Sequence, residues 1–358
     1  MTFQRSVVAV AQAFKETLDL ASVVAAMERG IRLAGLAPRV IAGSDGGDGL
    51  LDAIAGEVTR RTRHRVAGPV GSPIDVPAAW LDRDTAVVES RLVCGLSLLR
   101  PEERDPRRTT TRGLGELLDR LASDGAGRIL VGLGGSATMD GGTGMARAWG
   151  WKFLRSNVEL LPEGGGDLPE LVQIRPGRAP AARITALVDV RHVLTGSNGA
   201  MQFAEQKGAT PDVAARLNVG LARLAELVEG GPALAGRAGA GAAGGLGFGL
   251  LAFARADLVS GASWILERRG FDGLLRGAVA VVAGEGRFDA TSLGGKLTGE
   301  VLSRAAAAGI TGVLVAPEVT VEPPGRVVVE TGGGTWNAAA LEQRVAAGVA
   351  RAASLSPR

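Results

Sequence analysis

Five glycine-rich segments, with acidic or cationic residues in or beside them, sit at the ends of short apolar runs or the starts of amphipathic ones. They are 43–49 (GSDGGDG), 132–144 (GLGGSATMDGGTG), 196–208 (GSNGAMQFAEQKG), 239–249 (GAGAAGGLGFG) and 284–296 (GEGRFDATSLGGK). Glycine lets the backbone approach an anion closely, and the first turn of a helix supplies unpaired N–H groups for it. Loops of this kind between strand and helix commit a chain to a parallel α/β fold. Five of them point to a ligand with several anionic groups, most simply a nucleotide.

The periodicity agrees. Residues 7–10 read as a buried strand, 18–33 as a helix, 39–42 as a strand entering the first glycine loop, and 50–55 as the start of a helix. From 59 to 88 the pattern changes to short strands at 62–66, 75–81 and 85–88, divided by Gly-Pro and Ser-Pro turns. A helix is expected at 109–122, with Thr109, Thr110 and Thr111 offering N-cap oxygens. Strands at 128–131 and 184–188, a helix from Gly144 and another at 211–228 follow. Strands at 278–282 and 311–315 then flank a helix near 298–308. The chain ends resemble each other and the middle differs. The expected architecture is an open parallel sheet from 1–60 and 275–358, with a second α/β domain, 61–274, inserted into it. Ligands of such folds sit at strand C-terminal ends and between domains.

Composition narrows the function. A length of 358 residues with 46% apolar content supplies core for two domains. Net charge is only +3 and no basic stripe interleaves with aromatics, which argues against a nucleic-acid partner. The single cysteine, Cys94, rules out an intramolecular disulfide and suits a reducing compartment. No charge-free apolar run approaches 18 residues, so no membrane span is expected and the cytoplasm is the expected location.

Only four of the 40 basic residues are lysines: Lys15, Lys152, Lys207 and Lys296. In a chain so biased to arginine, a lysine marks a place for a compact ammonium, a common partner of phosphate. Asp45, Asp48, Asp140, Asp189, Glu285 and Asp289 lie at or just past the ends of apolar runs. A kinase needs such carboxylates to hold Mg²⁺ and to take the proton of the attacking hydroxyl. The string 132–137 matches a dinucleotide fingerprint, but no acidic residue ends a second strand about twenty residues on, so a phosphate cradle with Ser136 and Thr138 hydroxyls is favoured. There is no Walker sequence and no G-x-S-x-G elbow; the two histidines, His64 and His192, give a hydrolase triad few candidates for its base.

In chain order these strings resemble the glycerate kinase type 1 family. Phe14-Lys15 looks like its D-S-F-K-G-S-L segment, 44–49 like A-D-G-G-E-G, and 95–118 like G-L-x-L … R-x-P-x-x-T-T-x-G-x-G-E-L. Residues 134–144 are similar to G-G-S-A-T-N-D-G-G-x-G, 189–209 to D-V-x-N-P-L-x-G-x-x-G-A … F-x-P-Q-K-G-A, 241–251 to G-A-A-G-G-L-G-x-G-L-L, and 284–296 to G-E-G-R-x-D-x-Q-S-x-x-G-K. Gln12, Ala13, Glu16, Leu50, Met139, His192 and Thr291 depart from the pattern, whereas Lys15, Asp45, Asp189, Lys207, Arg287, Asp289 and Lys296 keep it.

The resemblance implies a flavodoxin-like domain joined to a second α/β domain, and ATP- and Mg-dependent phosphorylation of glycerate. It implies Lys15, Lys207 and Arg287 as charges offsetting ATP and the acid. Asp45, Asp189 and Asp289 become candidate Mg²⁺ ligands, one of them the base, with Asp189 preferred. Gly134, Gly135, Ser136, Thr138, Gly244, Gly245, Glu285 and Lys296 become candidate ATP contacts. The alternatives are a kinase for another small 2-hydroxy acid and a silent ligand-binding relative. A homodimer is a possible assembly.

Overall fold

The computed structural model describes residues 5–14, 17–189, 191–196, 199–334 and 336–355. Among these, the strands of the two main sheets are β1 Ser6–Ala11, β2 Ala37–Ala42, β3 Arg60–Ala67, β4 Pro73–Trp80, β5 Thr85–Glu89 and β6 Arg128–Leu133. They continue with β7 Arg183–Val188, β8 Asp257–Ser260, β9 Ala278–Gly284, β10 Gly312–Val315 and β11 Val327–Glu330. The chain packs as two compact units.

The first unit comprises the described residues of Met1–Asp45, Asp52–Ala55 and Gly261–Arg358. Its sheet runs β11-β10-β9-β1-β2, every pair parallel. Counted within the unit this is the order 2-1-3-4-5, the flavodoxin-like arrangement, with its switch point between β1 and β9. The central strand β1 (SVVAVA) is buried along its whole length, as a parallel strand covered on both faces must be. Helix Leu20–Leu33, capped by Asp19 accepting from Ser22 N at 2.7 Å, packs on helix Ala338–Leu355. Gly30 permits that approach, since a Cβ there would lie 2.6 Å from the Glu342 carbonyl oxygen.

The second unit comprises Gly46–Leu51 and Gly56–Ser260. Its sheet runs in the order β8-β7-β6-β5-β4-β3, parallel from β8 to β5 and antiparallel from β5 to β3. Helix Arg112–Ser123 buries Leu114, Leu117, Leu118 and Leu121 in a core shared with Trp80, Val88, Ile129 and Val131. Of the three expected N-cap threonines, Thr110 accepts from Arg112 N through Oγ1 at 3.2 Å, whereas Thr111 Oγ1 donates to Asp140 Oδ2 at 2.8 Å. The helix expected from 50 shortens to Leu50–Ala53 before a 3₁₀ turn. Among the described residues, no helix is long and apolar enough to cross a membrane.

Candidate active site

In the first unit every strand of the sheet sends residues from its C-terminal end into one cavity of about 740 Å³. Gln12, Ala13 and Thr17 follow β1, Asp45 follows β2, and Glu285, Gly286, Arg287, Asp289 and Lys296 follow β9. Pro317 and Glu318 follow β10, and Gly333, Gly334 and Trp336 follow β11. That is the place where open parallel sheets bind ligands. Thus Asp45, Glu285, Arg287, Asp289 and Lys296, all expected at the site, share one cavity. Lys15 and Glu16 lie outside the described residues.

Their local geometry is set by short hydrogen bonds. Lys296 Nζ donates to Thr291 Oγ1 at 2.7 Å, and Thr291 Oγ1 donates to Asp289 Oδ1 at 2.6 Å. The bonds from Thr291 hold the Asp289 carboxyl below its usual pKa, with Lys296 and Arg287 adding to the effect. Thr291, a departure from the family pattern, therefore joins a carboxylate to an ammonium. Gln12 Nε2 donates to the Gly284 carbonyl at 3.1 Å and to Thr298 Oγ1 at 2.8 Å, tying the end of β1 to the end of β9.

Glu285 is unlike its neighbours. Burial pushes its pKa up to about 7, against the pull of Ser292, Lys296 and Thr298, and the Asp45 charge pushes the same way. Its Oε1 is buried and has no hydrogen-bond partner among the described residues. A buried carboxyl raised in this way within a cavity is a candidate functional group.

In the second unit the remaining candidates follow β6 and β7. Asp189 lies one residue past β7, and the residues 197–198 of the loop beyond it lie outside the described set. Gly134 and Gly135 pack on the first glycine loop: a Cβ would come 3.0 Å from Gly47 Cα and from Asp48 Oδ1 respectively. Ser136 and Thr138, expected to offer hydroxyls to phosphate, are both buried, and Ser136 Oγ accepts from Lys207 Nζ at 3.0 Å. The outward part of this loop is the backbone at Gly134 and Gly135.

Gly244 and Gly245 lie in the interior. Both are buried, and with Ala243 they form a left-handed run at φ 52°, 72° and 83°. A Cβ on Gly244 would collide with the Thr138 carbonyl, and one on Gly245 would lie 3.0 Å from Gly141 Cα. The packing of two loops by itself demands glycine there. Leu50 and Met139 are fully buried, so these two departures belong to the core. The carbonyl of His192 accepts from Gly239 and Gly241 N, which gives that residue a structural task.

One group escaped the sequence reading. Glu89, at the end of β5 and 1% exposed, accepts from Leu51 N at 2.8 Å and Arg91 Nε at 2.6 Å. Arg91 also reaches Asp48 at 3.5 Å. An acid ending an apolar run, as in V-V-E-S-R, was the available signal.

The arrangement has counterparts in known proteins. The model of the glycerate kinase family matches residues 7–327. The glycerate kinase of Bacillus subtilis (strain 168) is 37% identical over 297 residues, covering 79% of this chain and 77% of that protein. The glycerate 2-kinase of Escherichia coli (strain K12) is 35% identical over 304 residues, covering 81% and 79%. A crystal structure from Salmonella typhimurium LT2, assigned as glycerate kinase 2, has a TM-score of 0.77 at 30% identity and covers 98% of this chain and 97% of its own. Similarity of this extent in both sequence and fold leaves one assignment: the chain belongs to the glycerate kinase family.

Proposed function

We propose that this protein is a kinase that uses Mg-ATP to phosphorylate a hydroxyl of glycerate, giving phosphoglycerate, in the cytoplasm. The observation that carries the reading is the cavity at the switch point of the first unit, where Arg287 and Lys296 stand among Asp45, Glu285 and Asp289. Cations there offset phosphate or carboxylate charge, while carboxylates serve a metal or a proton.

The donor set suits Mg²⁺. Asp45 and Asp289 supply hard oxygen ligands, and among the described residues no cluster of three ligating groups occurs. Mg²⁺ is usually held by one or two carboxylates, with phosphate oxygens and water completing the shell. In this reading one or two of Asp45, Asp289 and Asp189 would hold it, and the ion, when bound, would neutralise charge on the phosphates. Asp189 is the preferred acceptor of the hydroxyl proton. Gly134 and Gly135 offer backbone to the phosphates; Arg287, Lys296 and Lys15 offset their charge, with Lys207 contributing from the interior. The partners in this reading are ATP and the acid, with neither nucleic acid nor membrane, and a homodimer is the candidate assembly.

Gln12 favours a second reading. It lines the cavity as a neutral amide where the family pattern has an aspartate, which suits a different small 2-hydroxy acid. Thermal-shift titration with Mg-ATP and with D-glycerate, L-glycerate, glycolate, lactate and tartrate separates the two. A shift with ATP and glycerate supports the first reading. A shift with ATP and another acid, but not glycerate, supports the second, and no shift with ATP removes both.

A further inference from the structure

Burying an ammonium is costly, because leaving water favours the neutral amine. Lys207 is 2% exposed, and burial pushes its pKa down to about 8 in spite of Cys94 and Asp140, the titratable groups beside it. Asp140 is itself buried and satisfied by Thr111 N, Thr111 Oγ1, Gly142 N and Gly144 N, so it forms no direct ion pair with the lysine. The backbone is shaped to place Lys207 there. It ends the 3₁₀ turn Glu205–Lys207, and Gly208 follows at φ 92°, where a Cβ would collide with the Arg104 carbonyl.

The ammonium donates to Ser136 Oγ at 3.0 Å and to the Thr138 carbonyl at 2.9 Å. Three more bonds fix the same stretch. Leu96 N donates to the Gly135 carbonyl at 2.9 Å, Ala137 N to the Cys94 carbonyl at 2.8 Å, and Thr109 Oγ1 to the Ala137 carbonyl at 2.8 Å. The carbonyls of Gly135, Ala137 and Thr138 are thereby engaged, while among the described residues the amides of Gly135 and Ser136 donate to no protein acceptor. A methionine of similar length would fill the same space without the desolvation cost. Stability alone therefore does not account for the lysine.

We propose that Lys207 is a positioning residue for the phosphates of ATP: it locks the inner side of the Gly134–Thr138 loop through Ser136 and Thr138, and backs the loop with a positive charge, without touching the nucleotide. The proposal rests on the reading of that loop as a phosphate cradle.

The test is a double-mutant cycle of Lys207→Met and Ser136→Ala, read as the ATP Kd from calorimetry and as KM and kcat where turnover occurs. Lys207→Met is expected to raise the ATP Kd roughly 10- to 100-fold, with kcat falling less than the KM rises. Ser136→Ala is expected to give a smaller rise, and the double variant to be no worse than Lys207→Met alone. Multiplying effects would overturn the proposal, since they place Lys207 on the nucleotide itself. So would an unchanged Kd in either single variant. If Lys207→Met does not fold, Ser136→Ala alone decides, because it leaves the charge in place and breaks one link. Wild-type protein that binds ATP but phosphorylates no acid would refute the glycerate reading while the cycle still judges Lys207. Wild-type protein that binds no ATP would sink both.

Discussion

Replacing Glu285 with glutamine separates stability from function in a way the structure makes quantitative. Burial raises the Glu285 pKa from an ordinary 4.5 to about 7. Between those values the native protein keeps a proton that the unfolded chain has released. Native stability therefore falls as pH rises through this window, and the full cost is present above pH 7. A shift of this size corresponds to about 3 kcal/mol, from the ~1.4 kcal/mol that each pKa unit represents. Glutamine keeps the shape and cannot ionise. Any uniform cost of fitting its amide beside Ser292 and Thr298 is independent of pH, so the slope isolates the carboxyl. The difference in unfolding free energy between Glu285→Gln and wild type should thus grow in favour of the variant by about 3 kcal/mol from pH 4 to pH 8. For a 358-residue chain unfolding at once this is a relative gain of roughly 4 °C in Tm. Urea or thermal denaturation should be run with EDTA, because a bound cation favours the ionised carboxyl. Turnover should fall in the same variant. A stability difference that stays constant across the pH range would refute the argument that Glu285 is held at a cost.

Three further outcomes follow from single contacts. Gly244→Ala combines a left-handed φ with a collision against the Thr138 carbonyl, and should cost about 3 kcal/mol or more, seen as a lowered urea midpoint; a neutral effect would mean the loops do not interlock. Asp189→Asn should abolish turnover with a Tm close to wild type, and full activity in that variant would remove Asp189 from the site. Burial pushes the Cys94 thiol up to about 12, and the thiol donates to the Ser90 carbonyl at 3.3 Å, so it should resist alkylation at pH 8 until denaturant is added; rapid labelling of native protein would contradict its burial.

The sheet of the first unit was legible where apolar runs are short and continuous, as in 7–10 and 278–282, or lead into a glycine loop, as in 39–42. The strand Val327–Glu330 and helix Ala338–Leu355 were not read, although both complete the sheet's order and one of its faces. At the site, charge was more informative than glycine. Asp45, Glu285, Arg287, Asp289 and Lys296 share a cavity because each follows a parallel strand, and sequence shows both the strand and the charge. Glycines are harder to read because a missing Cβ can serve a ligand or another backbone. Gly244 and Gly245 serve the backbone, and nothing local in the string distinguishes the two uses. Burial of Ser136, Thr138 and Lys207 was equally hidden, since it depends on segments 69 to 71 residues apart meeting through Lys207 Nζ.

Turnover with Mg-ATP and D-glycerate, followed by ADP release and by phosphorus NMR of the product, decides whether the protein phosphorylates glycerate. A glycerate kinase should form ADP matched by a phosphoglycerate resonance, and lose both when Mg²⁺ is chelated. ATP binding without any phosphorylated acid, across glycerate and the other 2-hydroxy acids, would contradict that function.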